Sequence, residues 1–184
     1  MDTHIVQRDD DAALAPWKLA LHDALRAIGI GIGMIAYVPD EGTGSLIPRL
    51  EADPAFQVTS VTREEEGVGI LTGARLGGTR GVLLIQASGV GNSLNALASV
   101  NVACKIPVLL VIGERGGLGE FNPCQVPGGR ATRAMLEAIG IQCFRVDSAA
   151  AMRSTMEGAA TLCFSGQLPV AVILGNMMQK EQEA

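Results

Sequence analysis

Aromatic side chains are nearly missing from this 184-residue chain, which has one Trp, one Tyr and four Phe. That shortage argues against binding single-stranded nucleic acid or sugars on stacking platforms. Positive charge does not compensate. Fourteen Lys and Arg stand against nineteen Asp and Glu, a net charge of −5, so DNA or RNA partners are disfavoured. No apolar run approaches the roughly 18 residues of a membrane span, so no membrane partner is expected. The opening stretch carries Asp9, Asp10 and Asp11 without an apolar h-region and does not read as a signal peptide. Only two His occur, His4 and His22, and Cys104, Cys124, Cys143 and Cys163 contain no CxxC pair. Their regular spacing therefore reads as isolated intracellular thiols, not zinc ligands or disulfides. The expected compartment is the cytoplasm.

Glycine is in surplus, with 23 residues where about 13 would be usual. They follow no G-X-Y period, which excludes collagen. All but four fall within 29–44, 67–91 and 113–129, so the backbone is expected to come close to something in those segments.

Residues 1–15 read as a flexible acidic tail, 16–178 as one domain and 179–184 as a second tail. Apolar residues at 17, 20, 21, 24 and 25 predict a helix over 17–27. Strands are predicted at 32–38, 56–62, 81–87, 107–112, 142–146 and 169–174. Helices are expected at 45–51, 64–76, 93–104, 132–139 and 149–165, with 88–92 (SGVGN) a turn and 113–129 a long Gly-rich loop. The strands are continuous apolar runs alternating with helices. That pattern predicts an α/β fold, an open, doubly wound, mostly parallel six-stranded sheet with helices on both faces. Ligands of such sheets sit beyond the carboxyl ends of the strands.

Two glycine motifs look like nucleotide fingerprints and fail as such. GIGIG (29–33) precedes a strand and reads as a helix stop. SGVGN lies between strand and helix, but Leu94 occupies the third Gly position of a dinucleotide motif. In TREEEGVGILTG (62–73), Thr62 and Glu65 form a T-x-x-E capping box, and acids suit the first turn of a helix. Glu66 reads as a solvated acid. Gly69, Gly73 and Gly77 leave one helix face bare, although a helix-interior Gly costs roughly 1 kcal/mol relative to Ala.

The segments V-T-R-E-E-E-G-V-G-I, L-L-I-Q-A-S-G-V-G-N-S-L-N-A-L and E-R-G-G-L-G-E-F-N-P resemble, in order, the pyrimidine-binding (PYR) domain of thiamine-diphosphate-dependent 2-oxoacid decarboxylases. The likeness covers about residues 15–178. It is nearest to sulfopyruvate decarboxylase alpha subunits and the matching half of phosphonopyruvate decarboxylases. It implies the thiamine-diphosphate-binding fold of PYR type, with thiamine diphosphate as cofactor. The family pattern E-x4-G-[IV]-x2-G falls on Glu64, Gly69, Ile70 and Gly73. The resemblance thus makes Glu64 the catalytic acid that hydrogen-bonds N1′ of the aminopyrimidine, and leaves Glu65 to the capping box. V-P-D-E (38–41) is similar to the family's V-P-D-S loop and implies Asp40 near the cofactor, with Glu41 a departure from the usual Ser. Gln86, Gly89 and Asn92 flank or form a turn that resembles the family segment lying against the aminopyrimidine or the partner chain; by itself Asn92 also reads as a helix N-cap. Arg115 opens the lid-like 113–129 stretch and is the expected reader of a sulfonate or phosphonate. His22 and His4 offer no catalyst.

The family's G-D-G…N motif for diphosphate and Mg²⁺ is missing, so no metal ligand is expected here. The resemblance implies an alpha subunit working with a beta subunit that carries that motif and the Mg²⁺, in an α2β2 or larger assembly. The implied reaction is non-oxidative decarboxylation of an acidic 2-oxoacid, sulfopyruvate ahead of phosphonopyruvate. A carboligase subunit and a non-catalytic paralogue that only binds a partner are the alternatives.

Overall fold

The computed structural model describes residues 14–28 and 33–180. His4, most of GIGIG, and residues 1–13 and 181–184 of the two expected tails lie outside the described residues. The elements run α1 (Pro16–Ala27), β1 (Met34–Tyr37), α2 (Ile47–Ala52), β2 (Gln57–Ser60), α3 (Glu64–Leu76), β3 (Gly81–Gln86), α4 (Val90–Ala96), β4 (Leu109–Gly113), α5 (Val126–Ala138), β5 (Gln142–Val146), α6 (Ala149–Gly166), β6 (Val170–Leu174) and α7 (Asn176–Lys180). All five strand pairings are parallel, in the order β2-β1-β3-β4-β6-β5. This is the predicted doubly wound α/β sheet. No described helix is long and apolar enough to cross a membrane.

Alternation along the central strands feeds two cores. Ile35, Val82, Leu84, Leu109, Val111 and Val172 face α1, α2 and α6, meeting Leu21, Leu25, Leu50, Met152, Met156 and Phe164. Their neighbours Ala36, Leu83, Ile85, Leu110, Ile112 and Ile173 face α3, α4 and α5, meeting Val68, Leu71, Val90, Leu97 and Leu136. Side chains on both faces are apolar because a parallel sheet is covered on both sides. From β1 the chain leaves to β2 on one side, and β3 pairs on the other. The carboxyl ends of β1 and β3 therefore border a switch point, where such sheets bind ligands.

Three local expectations are corrected. SGVGN is not an open turn: Ala87–Gly89 is a 3₁₀ turn that runs directly into α4. The helix after it changes character at Leu97, where a π-helical stretch, Leu97–Val102, takes over. The helix expected at 132 begins at Val126. Pro127 sits in its first turn, where no N–H is needed. The glycines that read as loop do different work. A Cβ on Gly129 would lie 2.0 Å from the Arg115 carbonyl oxygen, whereas one on Gly128 would meet nothing within 4 Å. Also unanticipated is α7, which carries the fold to Lys180.

The two adjacent glycines give a paired test. Gly128→Ala is expected to stabilise the chain by up to about 1 kcal/mol, the helix-propensity difference. Gly129→Ala is expected to destabilise it by about 1–3 kcal/mol through overpacking against backbone. Urea unfolding of both variants measures the contrast.

Candidate active site

Two clusters meet at the carboxyl end of β3. In the first, α3 starts directly after extended Arg63, and Glu64, Glu65 and Glu66 fill its first turn. These three acids have separate roles. Glu66, not Glu65, reaches back: its Oε2 accepts from the Thr62 amide at 2.9 Å and from the Thr62 hydroxyl at 2.8 Å. The Thr62 hydroxyl and amide hold the Glu66 carboxyl below its ordinary value. The capping-box role expected of Glu65 therefore belongs to Glu66, whose four-residue spacing lets the side chain span one helical turn. Glu65 instead pairs with Arg63, 3.1 Å away, at the surface.

Glu64 is the acid turned inward toward α4. Asn92 Nδ2 donates to its Oε2 at 3.1 Å. A Cβ on Gly89 would lie 2.2 Å from Glu64 Oε1. Gly89 has φ −75° and ψ −16°, a conformation open to any residue, so glycine is required there by the carboxylate resting on it and not by the turn. Glu64, Gly89 and Asn92, singled out separately in the sequence, thus form one contact set. Asn92 lies in the first turn of α4 and does not cap it.

The second cluster is a cleft of about 120 Å³ at the ends of β1, β3, β4 and β6, whose charged lining is Lys18, Asp40, Glu41, Arg115, Glu120 and Lys180. Asp40 is held by its own loop, accepting from the Thr43 amide at 2.7 Å and the Thr43 hydroxyl at 2.8 Å. Gln86 joins the clusters: its Oε1 accepts from Arg115 Nη1 at 2.9 Å and its Nε2 donates to Ser88 Oγ at 2.9 Å. The structure therefore brings Asp40, Gln86 and Arg115 together on the cleft, with Glu64, Gly89 and Asn92 beside it across the 3₁₀ turn.

Arg115 is engaged more fully than its sequence position suggested. Its Nε and Nη2 both donate to Glu120, each at 2.8 Å, and the Glu120 side chain is 2% exposed. Glu120 also accepts from the amides of Gly116 and Asn122, each at 3.0 Å. Arg115 and then these amides hold the Glu120 carboxyl far below its ordinary 4.5, against the opposing effect of burial. Nothing in the sequence assigned Glu120 a role of its own within the strand-end segment 114–120. Its only signal was an acid five residues after an Arg in a glycine-rich segment. Asn176, Gln179 and Lys180, which complete the cleft wall, were missed with α7.

The remaining titratable groups are structural. His22 is buried, with Nε2 2.9 Å from Asp53 Oδ2, which also pairs with Arg26 at 3.1 Å. All four cysteines are free. Burial pushes the thiols of Cys143 and Cys163 up to about 11 and about 12, which leaves them protonated and unreactive near neutrality. Among the described residues no group of His, Cys, Asp or Glu could hold a metal ion.

Removing Glu120 should unpair a buried guanidinium. Glu120→Gln is expected to cost about 3 kcal/mol at neutral pH. The folded pKa is depressed, so the unfolded chain binds more protons as pH falls below 4.5, and the stabilisation present above that value is lost progressively on acidification. The gap between wild type and Glu120→Gln in urea midpoints should therefore narrow below pH 4.5.

No family model matches the chain. Among curated proteins, sulfopyruvate decarboxylase subunit alpha of Methanococcus maripaludis is 38% identical over 144 residues, which is 78% of this chain and 86% of that one. Phosphonopyruvate decarboxylase of Streptomyces viridochromogenes is 38% identical over 97 residues, 53% of this chain and 24% of that protein. Among solved structures, 2-oxoglutarate:ferredoxin oxidoreductase from Magnetococcus marinus aligns with a TM-score of 0.72 over 90% of this chain and 29% of its own, at 14% identity; that likeness shows the fold alone. By its identity to M. maripaludis subunit alpha over most of both chains, the protein belongs to the family of sulfopyruvate decarboxylase alpha subunits.

Proposed function

We propose that the chain is the alpha subunit of a two-subunit, thiamine-diphosphate-dependent decarboxylase that converts sulfopyruvate to sulfoacetaldehyde and CO₂. The observation that carries this reading is the Glu64 carboxylate, anchored through Oε2 by Asn92 and seated through Oε1 on the bare Cα of Gly89. A carboxyl group fixed beside a strand-end cleft suits proton exchange with a ring nitrogen. The donor set fits the pyrimidine end of the cofactor. It does not fit the diphosphate end, because the chain has no G-D-G and no metal-binding group among the described residues. A beta subunit would supply that end with its Mg²⁺, in an α2β2 or larger cytoplasmic assembly.

When bound, thiamine diphosphate supplies the electron sink for the carbanion left by loss of CO₂. Glu64 holds or accepts the proton at Oε1, the oxygen that Asn92 leaves uncommitted. Asn92 keeps the carboxylate from rotating, and Gly89 keeps the space under it clear. Gln86 and Asp40 wall the approach from the substrate side.

Co-expression with a neighbouring G-D-G subunit should give CO₂ release from sulfopyruvate in the presence of thiamine diphosphate and Mg²⁺. Turnover by the alpha chain alone would contradict the two-subunit reading. Glu64→Gln should slow turnover by about 10²–10⁴-fold, the range for general acid–base groups. Gly89→Ala meets only the far end of a flexible side chain, so it should displace Glu64 and lower kcat while the urea midpoint stays within about 0.5 M of wild type. An unaltered rate in both variants would remove Glu64 from the chemistry.

A further inference from the structure

The cleft balances three cations, Lys18, Arg115 and Lys180, against three carboxylates, Asp40, Glu41 and Glu120. The cations are not equally available to a ligand. The Arg115 fork is filled by Glu120 through Nε and Nη2, and its Nη1 is held by Gln86. A guanidinium whose two-pronged face is already occupied by a carboxylate cannot offer that face to a second anion. Lys18 donates to Ser45 Oγ at 2.7 Å and lies 5.2 Å from the Trp17 ring centroid. Lys180 differs. Its Nζ donates to the Gly119 carbonyl and lies 5.2 Å from the Phe121 ring centroid. Both partners are neutral, and among the described residues no carboxylate pairs with it. Its ammonium is thereby oriented without its charge being cancelled, and it keeps donors in hand.

The placement of Lys180 is built into the sheet end. Helix α7 is fastened to the end of β4 at two points: the Asn176 amide donates to Glu114 Oε2 at 2.9 Å, and Gln179 Nε2 donates to the Glu114 carbonyl at 3.3 Å. Asn176 Nδ2 also holds the Leu118 carbonyl at 2.8 Å. The 114–122 loop and α7 therefore present Lys180 to the cleft as one braced unit.

We propose that Lys180, not Arg115, determines specificity by reading the acid group at C3 of the substrate, and that Arg115 is a positioning residue keyed by Glu120 to hold Gln86. This inference rests on the decarboxylase reading above. A compact ammonium suits a sulfonate, which spreads one negative charge over three equivalent oxygens. With Asp40 and Glu41 on the same cleft, a second negative charge, as on a phosphonate, is repelled. The site is therefore matched to a monoanionic tail, with sulfopyruvate preferred over phosphonopyruvate.

The test is steady-state kinetics of the reconstituted holoenzyme with sulfopyruvate, phosphonopyruvate and pyruvate, together with calorimetric titration of the same holoenzyme with sulfoacetate, a non-reacting sulfonate probe. Lys180→Met should raise KM for sulfopyruvate about 10- to 100-fold, the range for loss of a charged hydrogen bond. The rise should far exceed that for pyruvate, and Lys180→Arg should restore part of it. Sulfoacetate binding should weaken by a similar factor. Arg115→Ala should lower kcat for sulfopyruvate and pyruvate alike. Equal KM effects of Lys180→Met on both acids, or a sulfonate-selective KM effect of Arg115→Ala, would overturn the proposal. Lys180-dependent sulfoacetate binding by a holoenzyme that turns over none of the three acids would support the anion site and sink the decarboxylase reading.

Discussion

Glu120 accepts four hydrogen bonds, two from the Arg115 guanidinium and two from the amides of Gly116 and Asn122, with its side chain almost entirely out of water. A buried carboxylate is tolerated only when its lone pairs are filled in this way. Much of the cleft depends on it. Its two backbone contacts close the 114–122 loop into a fixed shape, so the loop is a wall held from within and not a free flap. Its grip on Arg115 carries on through Gln86 to Ser88, next to the Gly89 on which Glu64 rests. A single anion thus links the end of β4 to the end of β3, and the cleft to the acid beside it.

The sheet was legible because its signal is redundant. The four central strands, β1, β3, β4 and β6, are continuous apolar runs with helices between them, and each feeds a core on both sides, so an error of one or two residues at any end left the architecture unchanged. Helix starts were less legible, and for a common reason. Pro127, Gly128 and Gly129 have the composition of a loop, yet Pro is harmless in a first turn, and Gly129 is demanded by the Arg115 carbonyl above it. That demand comes from a segment more than ten residues earlier, and local propensity cannot register it. The capping box failed at finer scale. The expected partner of Thr62 was Glu65, but Thr62 pairs with Glu66 while Arg63 engages Glu65.

The candidate site was legible where one residue matched a motif and illegible where two residues had to be paired. Glu64, Gly89 and Asn92 were each found, but the reason for Gly89 was not. The sequence offered a turn or an approaching ligand, whereas the atom that excludes a side chain is the chain's own Glu64 Oε1. Arg115 was found too, with its charge read as available. Only the fold brings Glu120 and Gln86 onto it. Lys180 was beyond reach for a simpler reason, since its helix follows the last strand and no periodicity over five residues distinguishes it from a tail.

The glycine surplus divides into two populations once contacts are known. Gly67, Gly81 and Gly129 would each place a Cβ within 2.5 Å of another part of the chain, so the fold itself requires them, whereas Gly89 makes room for the Glu64 side chain alone. Gly69, Gly73 and Gly91 would meet nothing within 4 Å, and all three lie inside α3 or α4, where each costs roughly 1 kcal/mol relative to Ala. Among the described residues no contact repays that cost. These three sit on the two helices that carry Glu64 and Asn92, on residues exposed in the isolated chain, while Gly128 in α5 and Gly158 in α6 are equally open. In the proposed assembly the compensation comes from outside: a bare backbone beside Glu64 lets a cofactor or a second subunit approach more closely than any side chain would allow. The internal glycines belong to the fold, and the open ones on α3 and α4 are accounted for by the function proposed for it.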